Sequence, residues 1–327
     1  MIAVVGLGFV GSALWKSFEH KKVTPLFVFD KFKNGGIGSL EECLQSRILF
    51  ICLPTPYNED TKEYGKEAIN ETMERLAACD YAGVVVIKST VEPGTTEDFS
   101  RRYPKLSILH NPEFLSAATA FHDFHNQKHI VLGAGSNCSE DQVQGVYDFY
   151  HTFYPEAEIS LCGSNESESM KSFVNCFYAL KIQFFNELFL LCQSNGTDFN
   201  TVRDLMLKNK WINPMHTSVP GRDGKLSYGG GCFPKDTNAL LQHMKRAGTP
   251  HAVLEGCISE RNVMRGEVVK DHIQNKLTNG HTEHAIKLTN GFPNTDINQN
   301  GLKLIKHICG HVENGHTPKQ HPQCACE

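Results

Sequence analysis

The stretch "IAVVGLGFVG", residues 2–11, decides what kind of fold follows. Ile2, Val4 and Val5 are β-branched and Ala3 is apolar, a run that suits a strand buried on both faces. Gly6, Gly8 and Gly11 then fall in G-x-G-x-x-G spacing, and "SALWKSFEH" (12–20) reads as a helix. In such a turn the first glycine makes the bend, the second lets the backbone reach a pyrophosphate, and the third lets the helix pack close to the strand. The helix start favours the anion. Gly6, Gly8, Phe9, Val10 and Gly11 are therefore candidate cofactor-binding positions. A glycine turn without a ligand is the bland alternative. Against it, "LFVFD" (26–30) ends at Asp30, close to the twenty-residue spacing of an acid that holds ribose hydroxyls. An acid there repels a 2′-phosphate and favours NAD over NADP, with Lys31 and Lys33 as opposing charges.

Outward from this turn, "ILFICLP" (48–54), "GVVVIKST" (83–90), "LSILHNP" (106–112) and "HIVLGA" (129–134) read as further buried strands. "EAINETMERLAAC" (67–79) and "TTEDFSRRY" (95–103) read as surface helices between them. The alternation predicts an α/β fold, a doubly wound parallel sheet forming a Rossmann domain over residues 1–160, with ligands at the carboxyl ends of its strands. At two such ends "PTP" (54–56) and "KST" (88–90) put Thr55 and Thr90 toward one crevice, although ordinary turn chemistry accounts for each alone.

With 327 residues, 40% hydrophobic and 21% charged, the chain has enough material for two domains. A formal charge of −4 gives no general pull toward nucleic acid. No apolar run is long enough to cross a bilayer, and the opening strand leaves no room for a signal peptide, so a cytoplasmic protein is expected. Twelve cysteines are scattered without a C-x-x-C pair, which points to reduced thiols and no metal site.

Residues 164–195 read as one helix of roughly 45 Å, stopped by Gly196, with Asn165 and Glu168 resembling a capping box. Its apolar residues cover most of the circumference. Burial on nearly all sides and packing against a second copy, a homodimer, are the expectation. Lys171 and Asn175 are four apart on one face, placed either for water near the first turns or for a substrate. After a second helix, "DFNTVRDLMLKNK" (198–210), a glycine-rich loop carries Arg222, Lys225 and Tyr228, a basic surface suited to a phosphorylated ligand or an ordinary exposed turn. "GGGCFPKD" (229–236) follows. Three glycines before Cys232 suit a place where another group approaches the backbone, against the bland reading of a turn whose cysteine packs. "DTNALLQHMKRAG" restarts a helix, so Asp236 also suits an N-cap.

Taken in order, "GLGFVG", "LPTP", "KSTVEPGTT", "NPEFL", the Lys171–Asn175 pair, "FNEL" and "GGGCFPKD" resemble the nucleotide-sugar dehydrogenase family, the UDP-glucose 6-dehydrogenases above all, over roughly residues 1–265. The resemblance implies NAD-dependent four-electron oxidation of a sugar C6 alcohol to a carboxylate, with Cys232 capturing the aldehyde as a thiohemiacetal and then a thioester. It implies an oxyanion role for Lys171 with Asn175 alongside, a water and proton relay through Asp236 and Thr90, and thioester hydrolysis served by Glu113. Lys235 and Thr55 would lie near the cofactor. Glu113, Lys171, Asn175, Arg222, Tyr228 and Gly229 would contact the nucleotide-sugar substrate.

Three departures stand out. Ala117 occupies the place of a second glutamate, "KFKNGGIGSLEECLQS" (31–46) is short, and the second Rossmann-like domain of full-length relatives is not recognisable. The expected layout is thus an NAD-binding domain (1–160), a helical dimerisation domain carrying Cys232 (161–270), and a disordered tail (271–327) whose seven histidines and terminal "CAC" read as solvated rather than metal-binding. A single-step β-hydroxyacid dehydrogenase and a non-catalytic NAD or nucleotide-sugar binding module are the alternatives.

Overall fold

A computed structural model describes residues 1–266; the expected tail lies outside the described residues. The chain runs β1 (Ile2–Val5), α1 (Phe9–His20), β2 (Leu26–Phe29), α2 (Leu40–Cys43), β3 (Ile48–Ile51), β4 (Tyr57–Asn58), β5 (Glu63–Tyr64), α3 (Glu67–Ala78), β6 (Val84–Ile87) and α4 (Thr95–Arg102). It continues β7 (Ser107–His110), α5 (Ala120–His125), β8 (His129–Ala134), α6 (Glu140–Phe153), β9 (Glu158–Gly163), α7 (Ser164–Asn195), α8 (Phe199–Leu207), α9 (Phe233–Arg246) and α10 (Ala252–Arg265).

These residues form two compact units, 1–181 with 229–255 and 182–228 with 256–266. The expected boundary at 160 therefore moves. β9 extends the sheet to Gly163, the first half of α7 belongs with the sheet, and so does the cysteine motif.

The first unit is built on a seven-stranded sheet in the order β2-β1-β3-β6-β7-β8-β9. All six strands read from the sequence are present. Their apolar runs are unbroken because both faces are covered: Val4, Phe50, Val86 and Leu132 face a core with Phe18 of α1 and Tyr150 of α6. Val5, Leu49, Ile51, Val85 and Ile108 face the opposite core with Met73 of α3 and Phe99 of α4. The sheet is not wholly parallel, however, because β8 pairs antiparallel to β7. The link between them carries only the six-residue α5, which packs on α1 instead of making a full crossover.

Two details of α7 differ from the sequence reading. Its capping box is absent: the helix starts at Ser164 directly after β9, and Glu168 is fully buried. Its carboxylate accepts the backbone N–H of Gly94 (2.7 Å) and Thr96 (2.8 Å) and the Thr96 hydroxyl (2.6 Å), so it caps α4 instead. Burial pushes this carboxyl up to about 7, opposed by those same donors. Nor is α7 buried all round: Phe173, Phe177, Phe184 and Leu191 are more than half exposed. Their spacings of four, seven and seven put them along one side of the helix.

In the second unit Phe185, Phe189 and Cys192 of α7 pack on Phe199 of α8, with Ile212, Val219 and Leu226 of the following loop around them. None of the nine cysteines among the described residues is in a disulfide. No helix of the described residues is long and apolar enough to cross a membrane, and no group of three His, Cys, Asp or Glu among them is placed to hold a metal.

Candidate active site

At the β1–α1 turn each glycine meets a different physical demand. Gly6 has φ +90°, and a Cβ there would lie 2.6 Å from the Cys52 carbonyl oxygen. A Cβ on Gly11 would fall 1.8 Å from the Gly6 carbonyl oxygen, whereas one on Gly8 would meet nothing within 4 Å. Gly8 is also the N-cap of α1, and no side chain caps that helix. The first N–H groups of α1, around Phe9 and Val10, thus face open space at the positive end of a helix, a cradle that fits a dinucleotide's pyrophosphate.

Asp30 directly follows β2. Its Oδ2 accepts the Leu7 N–H (2.6 Å), and its Oδ1 accepts those of Phe32 (3.0 Å) and Lys33 (2.8 Å). Burial pushes this carboxyl up, but the three backbone bonds and the Lys33 charge outweigh it, so the net shift is downward and the group is held as an anion. Of the flanking lysines, Lys31 pairs with Glu71 (2.9 Å). Lys33 donates to the Leu7 carbonyl (2.6 Å) and the Ser12 hydroxyl (2.8 Å), which places its charge over the glycine turn.

The two neighbouring strand ends are stitched together. Thr55, after β3, donates its hydroxyl to the Thr90 carbonyl (2.7 Å), and Ser89, after β6, donates to the Leu53 carbonyl (2.7 Å). Thr55 is buried and Thr90 half-buried.

Beyond them the reactive groups collect. Cys232 is the N-cap of α9, with an exposed backbone of Gly230 and Gly231 before it. Asp236 is therefore one turn inside α9 and not its N-cap, and its side chain is wholly buried. That burial is tolerated because three donors reach its carboxylate: Tyr64 (2.5 Å) and Lys235 (2.6 Å) at Oδ1, and Asn175 (2.6 Å) at Oδ2. One turn earlier on α7, Lys171 is buried, its ammonium 3.1 Å from Glu113 Oε1 and donating to the Glu113 carbonyl at 2.6 Å. Burial pulls the Lys171 ammonium down, but the charges of Glu113 and Asp236 outweigh it, and the net direction is upward. The Cys232 thiol is pushed up by desolvation and by Asp236, with Lys235 and Lys171 opposing. The net direction favours the neutral thiol.

The arrangement therefore holds a thiol, two ammonium groups and two carboxylates in mutual electrostatic reach within one unit. It can stabilise an oxyanion through Lys171, orient a water through Asp236, and offer a nucleophilic sulfur.

Gly229 belongs to the first unit, but Arg222 and Tyr228 belong to the second. Arg222 is exposed, whereas Tyr228 is buried with the Arg261 guanidinium 5.5 Å over its ring. The loop carrying them is tied to α10 by Arg265, which donates to Asp223 (2.8 Å) and to the Ser227 carbonyl (2.9 Å).

Three residues went unnoticed in the sequence. Tyr64 sits in a polar, aperiodic hairpin, so nothing local marks it. Glu92 accepts the Tyr64 N–H (2.6 Å) and pairs with Lys66 (2.9 Å). Lys88 carries a readable signal, a charge that continues an unbroken apolar strand.

A dinucleotide-binding sheet joined to a helix that presents a lysine and an asparagine beside a glycine-flanked cysteine defines a class of two-part, Rossmann-based proteins. The UDP-glucose/GDP-mannose dehydrogenase family matches on both parts, its NAD binding domain over residues 37–151 and its central domain over 165–262. The chain belongs to this family. It is 29% identical over 242 residues to a UDP-glucose 6-dehydrogenase of Pseudomonas aeruginosa, covering 71% of this chain and 52% of that one. It is 30% identical over 234 residues to the UDP-glucose 6-dehydrogenase TuaD of Bacillus subtilis, covering 68% and 48%. The chain thus spans about half the length of these relatives. Among solved structures, a UDP-glucose dehydrogenase from Pyrobaculum islandicum superposes with a TM-score of 0.67 at 25% identity, covering 80% of this chain and 67% of that one.

Proposed function

We propose that the chain catalyses NAD-dependent oxidation of a nucleotide sugar's C6 alcohol to the uronic acid, with UDP-glucose, named in the matched relatives, as the first substrate to test. The observation that carries this reading is the convergence of Lys171, Asn175, Asp236 and Glu113 around the α9 start where Cys232 sits.

The glycine turn and Asp30 would hold NAD, which would supply the hydride acceptor for each oxidation, two NAD being used in succession with the first NADH leaving before the second NAD binds. As the alcohol becomes an aldehyde, its proton passes to a water oriented by Asp236 and Thr90, while the Lys171 ammonium hydrogen-bonds the oxygen. Cys232 sulfur then bonds to the aldehyde carbon, and the thiol proton ends on the former carbonyl oxygen, giving a thiohemiacetal. Loss of the second hydride and of the hydroxyl proton leaves a thioester. Water steered by Glu113 attacks it, the C–S bond breaks, and the acid departs with the thiol restored. Covalent capture explains why a cysteine is needed: a free aldehyde would diffuse away between the two oxidations.

The exposed Phe173, Phe177, Phe184 and Leu191 side of α7 supports a homodimer formed through that helix. Cys232→Ser tests the chemistry. NAD binding is expected to be retained and acid formation lost, while the intact protein releases two NADH per sugar. Acid production by the variant at the wild-type rate would refute the cysteine assignment, and one NADH per substrate would favour single-step β-hydroxyacid chemistry.

A further inference from the structure

We propose that Tyr64 is a positioning residue for Asp236, fixing the carboxylate in the orientation from which it addresses water beside Cys232; this rests on the oxidation proposed above. An ionised carboxylate has about four lone-pair directions, and within the protein three are taken, by Tyr64, Lys235 and Asn175. The three donors are not equivalent. Lys235 reaches across on a flexible four-carbon stem and supplies charge with little direction. Asn175, on α7, fixes Oδ2. Tyr64 fixes Oδ1 with a rigid two-torsion side chain, and the plane of the carboxylate is set by the two together. One lone pair remains for a ligand or water.

The phenol is itself held at both ends. Its hydroxyl donates to Asp236 at 2.5 Å, 172 positions away in sequence, and its own backbone N–H donates to Glu92 at 2.6 Å. Glu92 is buried, pairs with Lys66, and lies two residues after Thr90. The end of β6 therefore carries the Thr90 segment and anchors the hairpin that brings Tyr64 to Asp236. The groups acting on Asp236 come from three elements: Tyr64 of β5; Cys232 and Lys235 of α9; and Lys171, Asn175 and Cys176 of α7, with Glu92 behind Tyr64. Tyr64 is the neutral donor at Oδ1, so its hydroxyl can be removed without adding or deleting a charge.

Burial and then the Asp236 charge push the Tyr64 phenol well above its ordinary range, which favours the protonated, donating form. A ring that only filled space would be replaced by phenylalanine at no catalytic cost. A positioning hydroxyl would not, because a hydrogen bond to a charged partner is worth about tenfold to a hundredfold in rate.

Two measurements on the full chain decide the matter. Tyr64→Phe is expected to keep its near-ultraviolet circular dichroism and NAD affinity while kcat for UDP-glucose oxidation falls at least about tenfold with KM little changed. In an Asp236→Asn background the same change is expected to cost nothing further. A Tyr64→Phe protein with wild-type kcat, or an equal loss in both backgrounds, overturns the proposal. Independently of turnover, 3-fluorotyrosine installed at position 64 and followed by fluorine NMR is expected to ionise at lower pH once Asp236→Asn is introduced; an unmoved midpoint also overturns it. Should the native chain oxidise no nucleotide sugar, the reading of function falls, and the fluorine titration still decides whether phenol and carboxylate are coupled.

Discussion

Lys88 offers a direct thermodynamic test of how the site is held. It follows β6, its residue is 2% exposed, and its ammonium donates to the Asn111 carbonyl (3.0 Å) and Oδ1 (2.8 Å), with the Pro112 carbonyl at 3.5 Å. It thereby ties down the segment leading into Glu113. Burial pulls this ammonium down from 10.5 to about 8, with Cys52 and Glu113 opposing. In the unfolded chain it returns to its ordinary value, so between pH 8 and 10.5 unfolding takes up a proton and stability from this group rises with pH. A drop of roughly 2.5 at about 1.4 kcal/mol each means that below pH 8 the folded state carries a cost of about 3 kcal/mol for keeping Lys88 charged. Lys88→Met removes the titration. The difference in unfolding free energy, wild type minus variant, should therefore climb by about 3 kcal/mol between pH 7 and 10.5. Denaturant melts in a Trp211→Phe background would follow it through Trp15, which packs against the sheet's core. Every other titrating group is common to both proteins, so parallel stability curves across that range would refute the argument.

The glycine turn and the exposed helix face give two further outcomes. Gly11→Ala should weaken NAD binding at least about tenfold and lower the melting temperature, because its Cβ would fall 1.8 Å from the Gly6 carbonyl oxygen. Gly8→Ala, with nothing within 4 Å of the added carbon, should leave melting unchanged and weaken NAD binding alone, as calorimetric titration would read. On the proposed dimer through α7, Phe177→Glu with Phe184→Glu puts two charges on the helix's exposed side and should leave a monomer in sedimentation velocity where the native protein sediments as a dimer.

What the sequence made legible was local. The turn after β1 announced itself because three glycines and an acid at fixed spacing serve one backbone geometry, and the strands announced themselves because burial on both faces leaves no polar alternation. Partners distant in sequence stayed hidden. Glu168 shows why: the chain offered a local cap for α7, but a buried carboxylate gains more from the unpaired N–H groups of α4, some 70 residues earlier, than from its own helix start. The antiparallel β8 was equally invisible, because strand direction depends on the connection and not on strand composition. Tyr64 combines both limits, a single aromatic in a polar hairpin whose significance is conferred by Asp236.

The charge pattern of the cluster also bears on why Cys232 is not poised as a thiolate. Lys171 and Lys235 are matched by Glu113 and Asp236, so little net positive charge remains to stabilise a sulfur anion, and the helix start alone does not compensate for desolvation. A preformed thiolate would be open to oxidants and alkylators throughout the resting state, and its low basicity would weaken it as a nucleophile. In the proposed reaction a neutral thiol near a lysine that hydrogen-bonds the incoming carbonyl would avoid both: the sulfur would add to the carbonyl carbon as the Lys171 ammonium stabilises the negative charge developing on its oxygen. On the proposed mechanism, reactivity would thereby be tied to the presence of the aldehyde, the species that would otherwise escape.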